Sequence, residues 1–188
     1  MKALKSILIF SLLLPAGAFA VVKPVRILIP QINGVTCPEN NLCIDDEKRL
    51  NEAKTLYTDA LKFVQDKLGA FDTAPRVVFC SSQKCFNEFG GGKRSAVTIG
   101  SFGVVIAPKG WEYYCVRHEL IHHWQAEKLG NFKFWREPDW LTEGMAYSLS
   151  GDPRKFLDQP FQDYRSRFNE WNRARGAGDL LTAMKAVQ

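Results

Sequence analysis

His118, His122 and His123 are the only histidines in the 188-residue chain, and they fall within the six residues HELIHH, with Glu119 among them. Residues four apart on an α-helix stand one above the other, about 6 Å apart. At that spacing His118 and His122 can share one metal ion at the roughly 2.0–2.1 Å of a zinc–nitrogen bond. Glu119 projects to the side, where its carboxylate can reach a water on the same ion. H-E-x-x-H on a helix is a zinc-hydrolase pattern in which the Glu acts as general base. The bland alternative is a helix that happens to display histidines.

A catalytic zinc site needs a third protein ligand and one open position. The extension H-E-x-x-H-x-x-G-x-x-H is absent, because Gln125 and Lys128 occupy its glycine and third-histidine positions. With no further histidine, the third ligand must be a carboxylate. Glu143, in EPDWLTEGMAYSLSGD, is the candidate. From His122 the first helix runs about 10 Å to Gly130, and the next eight residues span up to roughly 26 Å if extended, so the chain can return. Glu143 then falls in the first turns of a second helix. On distance alone Glu137 and Asp139 are rivals, with solvation and helix capping as their ordinary roles.

HELIH followed by DWLTEGMAYSLSGD resembles the gluzincin zinc metallopeptidases, in which a Glu-Gly pair on a second helix supplies the third ligand. The closer likeness is to small exported peptidase MA-like domains of bacteria. It covers residues 102–152 at the level of motifs and is architectural elsewhere. The resemblance implies a zincin-like fold, Zn2+ held by His118, His122 and Glu143, and Glu119 as base in the hydrolysis of peptide bonds. Two features depart from the pattern. The gap between His122 and Glu143 is slightly longer than in the aminopeptidase-like branch. Tyr147 stands where thermolysin-like members carry an Asp that orients a ligand histidine.

Such a reaction also needs a donor for the developing oxyanion. Tyr147, His123 and Tyr164 are the candidates, with Tyr113 and Tyr114 behind them, and packing is the ordinary role of each. Cys115, one turn before His118, is expected to be a buried apolar residue or half of a disulfide. The strand over residues 103–107 is expected to form an edge beside the cleft, able to hold an extended peptide.

The elements that must position these residues follow from pattern. VRILIP, residues 25–30, reads as a first strand bounded by prolines. Leu50, Ala53, Tyr57, Ala60, Leu61, Val64 and Leu68 recur at helical spacing up to Gly69. RVVFC reads as a strand, residues 84–89 as a short helical turn, and SAVTIG and FGVVIAP as two strands joined near residues 100–102. Helices are expected over residues 111–129 and from Pro138-Asp139, with Asp139 as N-cap, to about Leu149. One or two short helices should close the chain. The expectation is an α+β fold: a small zincin-like domain whose twisted mixed sheet packs on the HExxH helix and a second ligand-bearing helix, strands first and helices after.

The first twenty residues, MKALKSILIFSLLLPAGAFA, have a basic start, a short apolar core and an A-x-A end. They read as a signal peptide cleaved after Ala20, with a core too short to span a bilayer. Export across the inner membrane to the periplasm is expected, with residues 21–188 as one domain and no transmembrane segment. Without Lys2 and Lys5 the formal charge falls from +5 to +3. No dense block of Lys and Arg marks a nucleic-acid surface. Export permits disulfides, and Cys37–Cys43 and Cys80–Cys85 are the expected local pairs, with Cys80–Cys115 the alternative. The favoured activity is a zinc peptidase acting on exported or cell-envelope peptides or proteins, with room for a membrane-protein or envelope partner that delivers substrate. The alternative is a zinc-binding, non-catalytic exported interaction module.

Overall fold

Val77-Val78-Phe79 and Val104-Val105-Ile106 are runs of β-branched and aromatic residues with every side chain buried, as strands covered on both faces should be. The computed structural model describes residues 23–39 and 41–187. Its sheet has five strands: β1 (Thr36–Glu39), β2 (Leu42–Ile44), β3 (Val77–Phe79), β4 (Ala96–Thr98) and β5 (Val104–Ile106). They lie in the order β1-β2-β3-β5-β4, with β2, β3 and β5 parallel and the outer strands antiparallel to their neighbours.

The two-residue period of a strand sorts these side chains between two cores. Leu42, Ile44, Val77, Phe79, Val104 and Ile106 face the larger one, and Cys43, Val78 and Val105 face the smaller. The larger core is covered by α2 (Leu50–Leu68), α4 (Tyr113–Leu129), α6 (Asp139–Leu149) and α7 (Phe161–Ala174). The smaller is covered by α1 (Lys23–Leu28) and α3 (Gln83–Glu88). A short helix α5 (Asn131–Phe134) and a last helix α8 (Leu180–Lys185) complete the described elements.

The architecture is α+β with an open mixed sheet, but the strands-first order is not what forms. Helix α2 connects β2 to its parallel neighbour β3, and α3 lies between β3 and β4. Residues 25–30 are also not a strand. They form most of α1 and the start of a 3-10 turn over Pro30–Asn33. Six apolar residues carry no period that separates the two states. Pro24 is compatible with a first helical turn, and Arg76 Nη1 donates to the carbonyls of Ile27 and Leu28 at 3.2 and 2.8 Å, so the helix end has its acceptors filled.

Disulfides join Cys37 to Cys43 and Cys80 to Cys85, the two local pairs expected, and Cys115 is free. Two such bonds suggest an oxidising, extracellular environment. The expected leader, residues 1–20 with cleavage after Ala20, lies outside the described residues. Among the described residues no helix is long and apolar enough to cross a membrane.

Candidate metal centre

Helix α4 is buried along most of its length, from Val116 to Ala126, with only Arg117 and Glu119 partly exposed in that stretch. Gly130, at φ 82°, ends it in a backbone conformation that a side chain disfavours. The connection to α6 folds into α5 rather than running extended, and Asn131 fixes its start. The Asn131 side chain accepts from the Ser101 backbone N–H at 2.8 Å and donates to Ser101 Oγ at 3.0 Å, which ties α5 to the turn between β4 and β5. Helix α6 then begins after Pro138, with Asp139 as its first residue. The expected Asp139 N-cap is not formed; Pro138 holds that position and makes no side-chain cap.

This return places Glu143 beside the histidines. Glu143 Oε2 lies 3.3 Å from His118 Nε2 and 3.5 Å from His122 Nε2, and the two nitrogens are 3.0 Å apart. Three donors each about 2.05 Å from one ion in tetrahedral geometry stand roughly 3.3 Å apart, so the set has the size of a three-ligand site. His118, His122 and Glu143 therefore form a group that can hold a metal ion, and among the described residues no other cluster does so. Glu137 and Asp139 are not members. The Glu137 carboxylate pairs with Lys133 at 3.3 Å, and Asp139 accepts from the Tyr164 hydroxyl at 3.4 Å.

The glycine after Glu143 has a packing reason. A Cβ on Gly144 would lie 2.3 Å from the Tyr164 carbonyl oxygen and 2.8 Å from Phe168 Cβ. Only a residue without a side chain lets α7 pack this closely behind the ligand helix.

Two groups that sequence reading did not identify hold the site in place. Gln125, fully buried, accepts from His122 Nδ1 at 2.9 Å and donates to the Thr142 carbonyl at 3.1 Å. One amide thus fixes the imidazole so that Nε2 faces the cluster, and ties α4 to α6 at the residue before Glu143. Thr98, on β4, has its hydroxyl 2.6 Å from Glu119 Oε2 and 2.9 Å from the Glu119 carbonyl. It holds the glutamate against the sheet edge. Gln125 was visible in the sequence as the residue one turn beyond His122. Thr98 carried no such signal, since its partner is 21 positions away.

Electrostatics couple the group. Burial pushes the His122 pKa down, but the Glu143 charge and hydrogen bond outweigh it and carry the value up to about 9. Burial pushes the Glu143 carboxyl up, and His122 with His118 overrides this and holds it well below the usual carboxylate range. The Tyr147 ring meets His118 edge-on, centroids 4.4 Å apart. Burial, reinforced by Glu143, raises its phenol to about 12. Burial likewise raises the Cys115 thiol to about 11.

The remaining candidates separate by position. His123 is 1% exposed and packs against Phe71, and among the described residues neither of its ring nitrogens has a close hydrogen-bond partner. Tyr164 is on α7, with its hydroxyl directed to Asp139. The cleft over the site has two halves that share Arg94, Ala96, Glu119 and Glu143. One, about 280 Å³, continues past Thr98, His122, Phe134 and Trp135; the other, about 300 Å³, past Tyr114, Cys115, His118, Tyr147 and Arg154. The strand at its margin is β4, not the expected strand at 103–107. That segment holds β5, which is paired on both sides, so β4 is the edge. No protein-family model matches the chain, and no curated protein and no solved structure matches it.

Proposed function

We propose that the protein is a zinc-dependent peptidase of small zincin-like fold, with His118, His122 and Glu143 as ligands and Glu119 as general base. The observation that carries this reading is the three-donor set at mutual distances of 3.0, 3.3 and 3.5 Å, with an unliganded carboxylate, Glu119, lining the same cleft. Two imidazoles and one carboxylate are a zinc donor set, and their position in the wall of a cleft would suit a catalytic site. When bound, the metal supplies a Lewis acid and lowers the pKa of its water to about 7.

The chain's own residues have defined tasks. Glu119, held by Thr98, takes the proton of the attacking water and returns it to the leaving amine. Tyr147 stays protonated at neutral pH and lines the cleft beside His118, so its phenol is suited to donate to the carbonyl oxygen as charge develops. His123 is left out of that role because it is buried in the core, and Tyr164 because its hydroxyl is turned to Asp139. As an outer strand of the sheet whose residues line the cleft, β4 is placed to hold an extended peptide by main-chain hydrogen bonds. A peptide or protein is accordingly the proposed substrate, in the periplasm or another exported setting, with an envelope partner compatible with a cleft this open.

The test is cleavage of a peptide library by zinc-loaded protein beside Glu119→Gln. Cleavage by the first and at least a hundredfold less by the second, at equal zinc content, is expected from loss of the base. Equal rates in both contradict the mechanism. No cleavage by either, with zinc bound, favours the non-catalytic binding module instead.

A further inference from the structure

The two halves of the cleft differ in charge. In the half beyond Trp135 the charged wall residues apart from the centre are Glu137, Asp139 and the shared Arg94. In the half beyond Tyr147 they are Arg94, Lys109, Arg154 and a single carboxylate, Asp152. That carboxylate is already used. Its side chain is 1% exposed, and Arg154 donates to it through Nε at 2.9 Å and Nη2 at 2.5 Å. Arg154 is itself held in position, because Arg165 donates to the carbonyls of Arg154 and Lys155, and its guanidinium lies 5.3 and 5.7 Å from the Tyr114 and Tyr147 ring centres.

The other two cations have backbone partners. Lys109 Nζ donates to the Lys93 carbonyl at 2.7 Å, and Arg94 donates to the carbonyls of Gly91 and Gly90. Among the described residues neither forms an ion pair with a carboxylate. Both are anchored to the same loop, which limits the entropy lost when they take a ligand. A substrate lying here would displace water from this wall and strengthen its attraction for an anion.

We propose that this half of the cleft binds a carboxylate of the peptide substrate, with Lys109 and Arg94 as its direct partners and Arg154 completing the cationic wall. The inference rests on the peptidase reading and adds the substrate class to it. A peptide offers a carboxylate from two sources, a Glu or Asp side chain or its free C-terminus.

The experiment uses zinc-loaded Glu119→Gln and fluorescent, N-acylated hexapeptides. A single Glu replaces Gln at each position in turn, and the C-terminus is amide or free acid. Anisotropy reads binding without turnover. One position, or the free terminus, should tighten binding about tenfold over the neutral amide peptide. Adding Lys109→Ala and Arg94→Ala together should remove that preference, read as the ratio of charged- to neutral-peptide affinity within the same protein, in a variant that keeps its zinc and a cooperative melting transition. Which arm responds identifies the source.

Equal binding of charged and neutral peptides overturns the proposal, as does a preference that survives in the double variant, which would point to the metal as the anion's partner. Failure of every peptide to bind also counts against it. The two readings fail separately. Cleavage by wild-type protein without charge preference removes only the carboxylate site, and carboxylate-selective binding without wild-type cleavage removes only the hydrolase.

Discussion

His122 and His123 are neighbours in the chain and opposites in environment. His122 faces the cleft, its Nδ1 held by Gln125 and its Nε2 set against His118 and Glu143, and its pKa is raised to about 9. His123, 100° further round the same helix, faces Phe71 in the core. Burial drives its pKa down to about 4, and the Glu127 charge and the Gly100 backbone only partly oppose this. Burial acts on both rings. What separates them is whether each polar atom meets a partner of matching charge, so occurrence of a histidine in a motif says less than the face it occupies.

Substitutions can break this contrast. His122→Ala should lower zinc affinity by well over a hundredfold, because it removes a ligand rather than its support, while the same change at His123 should leave affinity within about twofold. Competition with a chromophoric chelator measures both, and equal losses would erase the distinction. Gln125→Leu should weaken zinc by about ten- to a hundredfold, and Gln125→Glu should recover part of that by restoring the acceptor for His122 Nδ1. A Gln125→Leu protein that is destabilised but binds zinc normally would show that Gln125 only joins the helices.

On the core face the expected effects are smaller and concern folding. His123→Leu replaces two poorly satisfied nitrogens with apolar surface, so urea unfolding of metal-free protein should show unchanged stability or a gain of up to about 1 kcal/mol. A loss above about 2 kcal/mol would mean that His123 has a polar partner of consequence. Tyr57 is the satisfied counterpart: buried, donating to the Pro75 carbonyl at 3.1 Å, with its pKa raised by burial to about 12. Its folded value exceeds the unfolded value of about 10, so its contribution is complete below pH 10 and is lost as pH rises through 12. Tyr57→Phe should cost about 1 kcal/mol at neutral pH and flatten that alkaline decline.

The site was legible where chemistry depends on local spacing. Four residues on a helix bring His118 and His122 together, and Pro138 and Gly130 mark the helix boundaries that set where Glu143 returns. The two disulfides were legible for the same reason, since each closes a loop of five or six positions. Features that depend on pairing across the fold were not. Whether the segment around Val104 or around Val97 is the sheet edge is decided by β3 packing beside β5, which no local pattern encodes. Thr98 reaches Glu119 only because β4 occupies that edge. Residues 25–30 carry no local signal that selects helix over strand, because an apolar run suits either state, and Arg76, far along the chain, donates to the Ile27 and Leu28 carbonyls at the end of the helix they form.

The central claim is the three-ligand centre, and zinc content tests it most directly. Elemental analysis of purified protein without added metal, beside a Glu143→Ala variant of unchanged fold, should give about one zinc per chain in the first and little in the second. Zinc retained in both would remove Glu143 from the centre. No zinc in either, with both proteins folded and apo wild type failing to take it up on addition, would contradict the account.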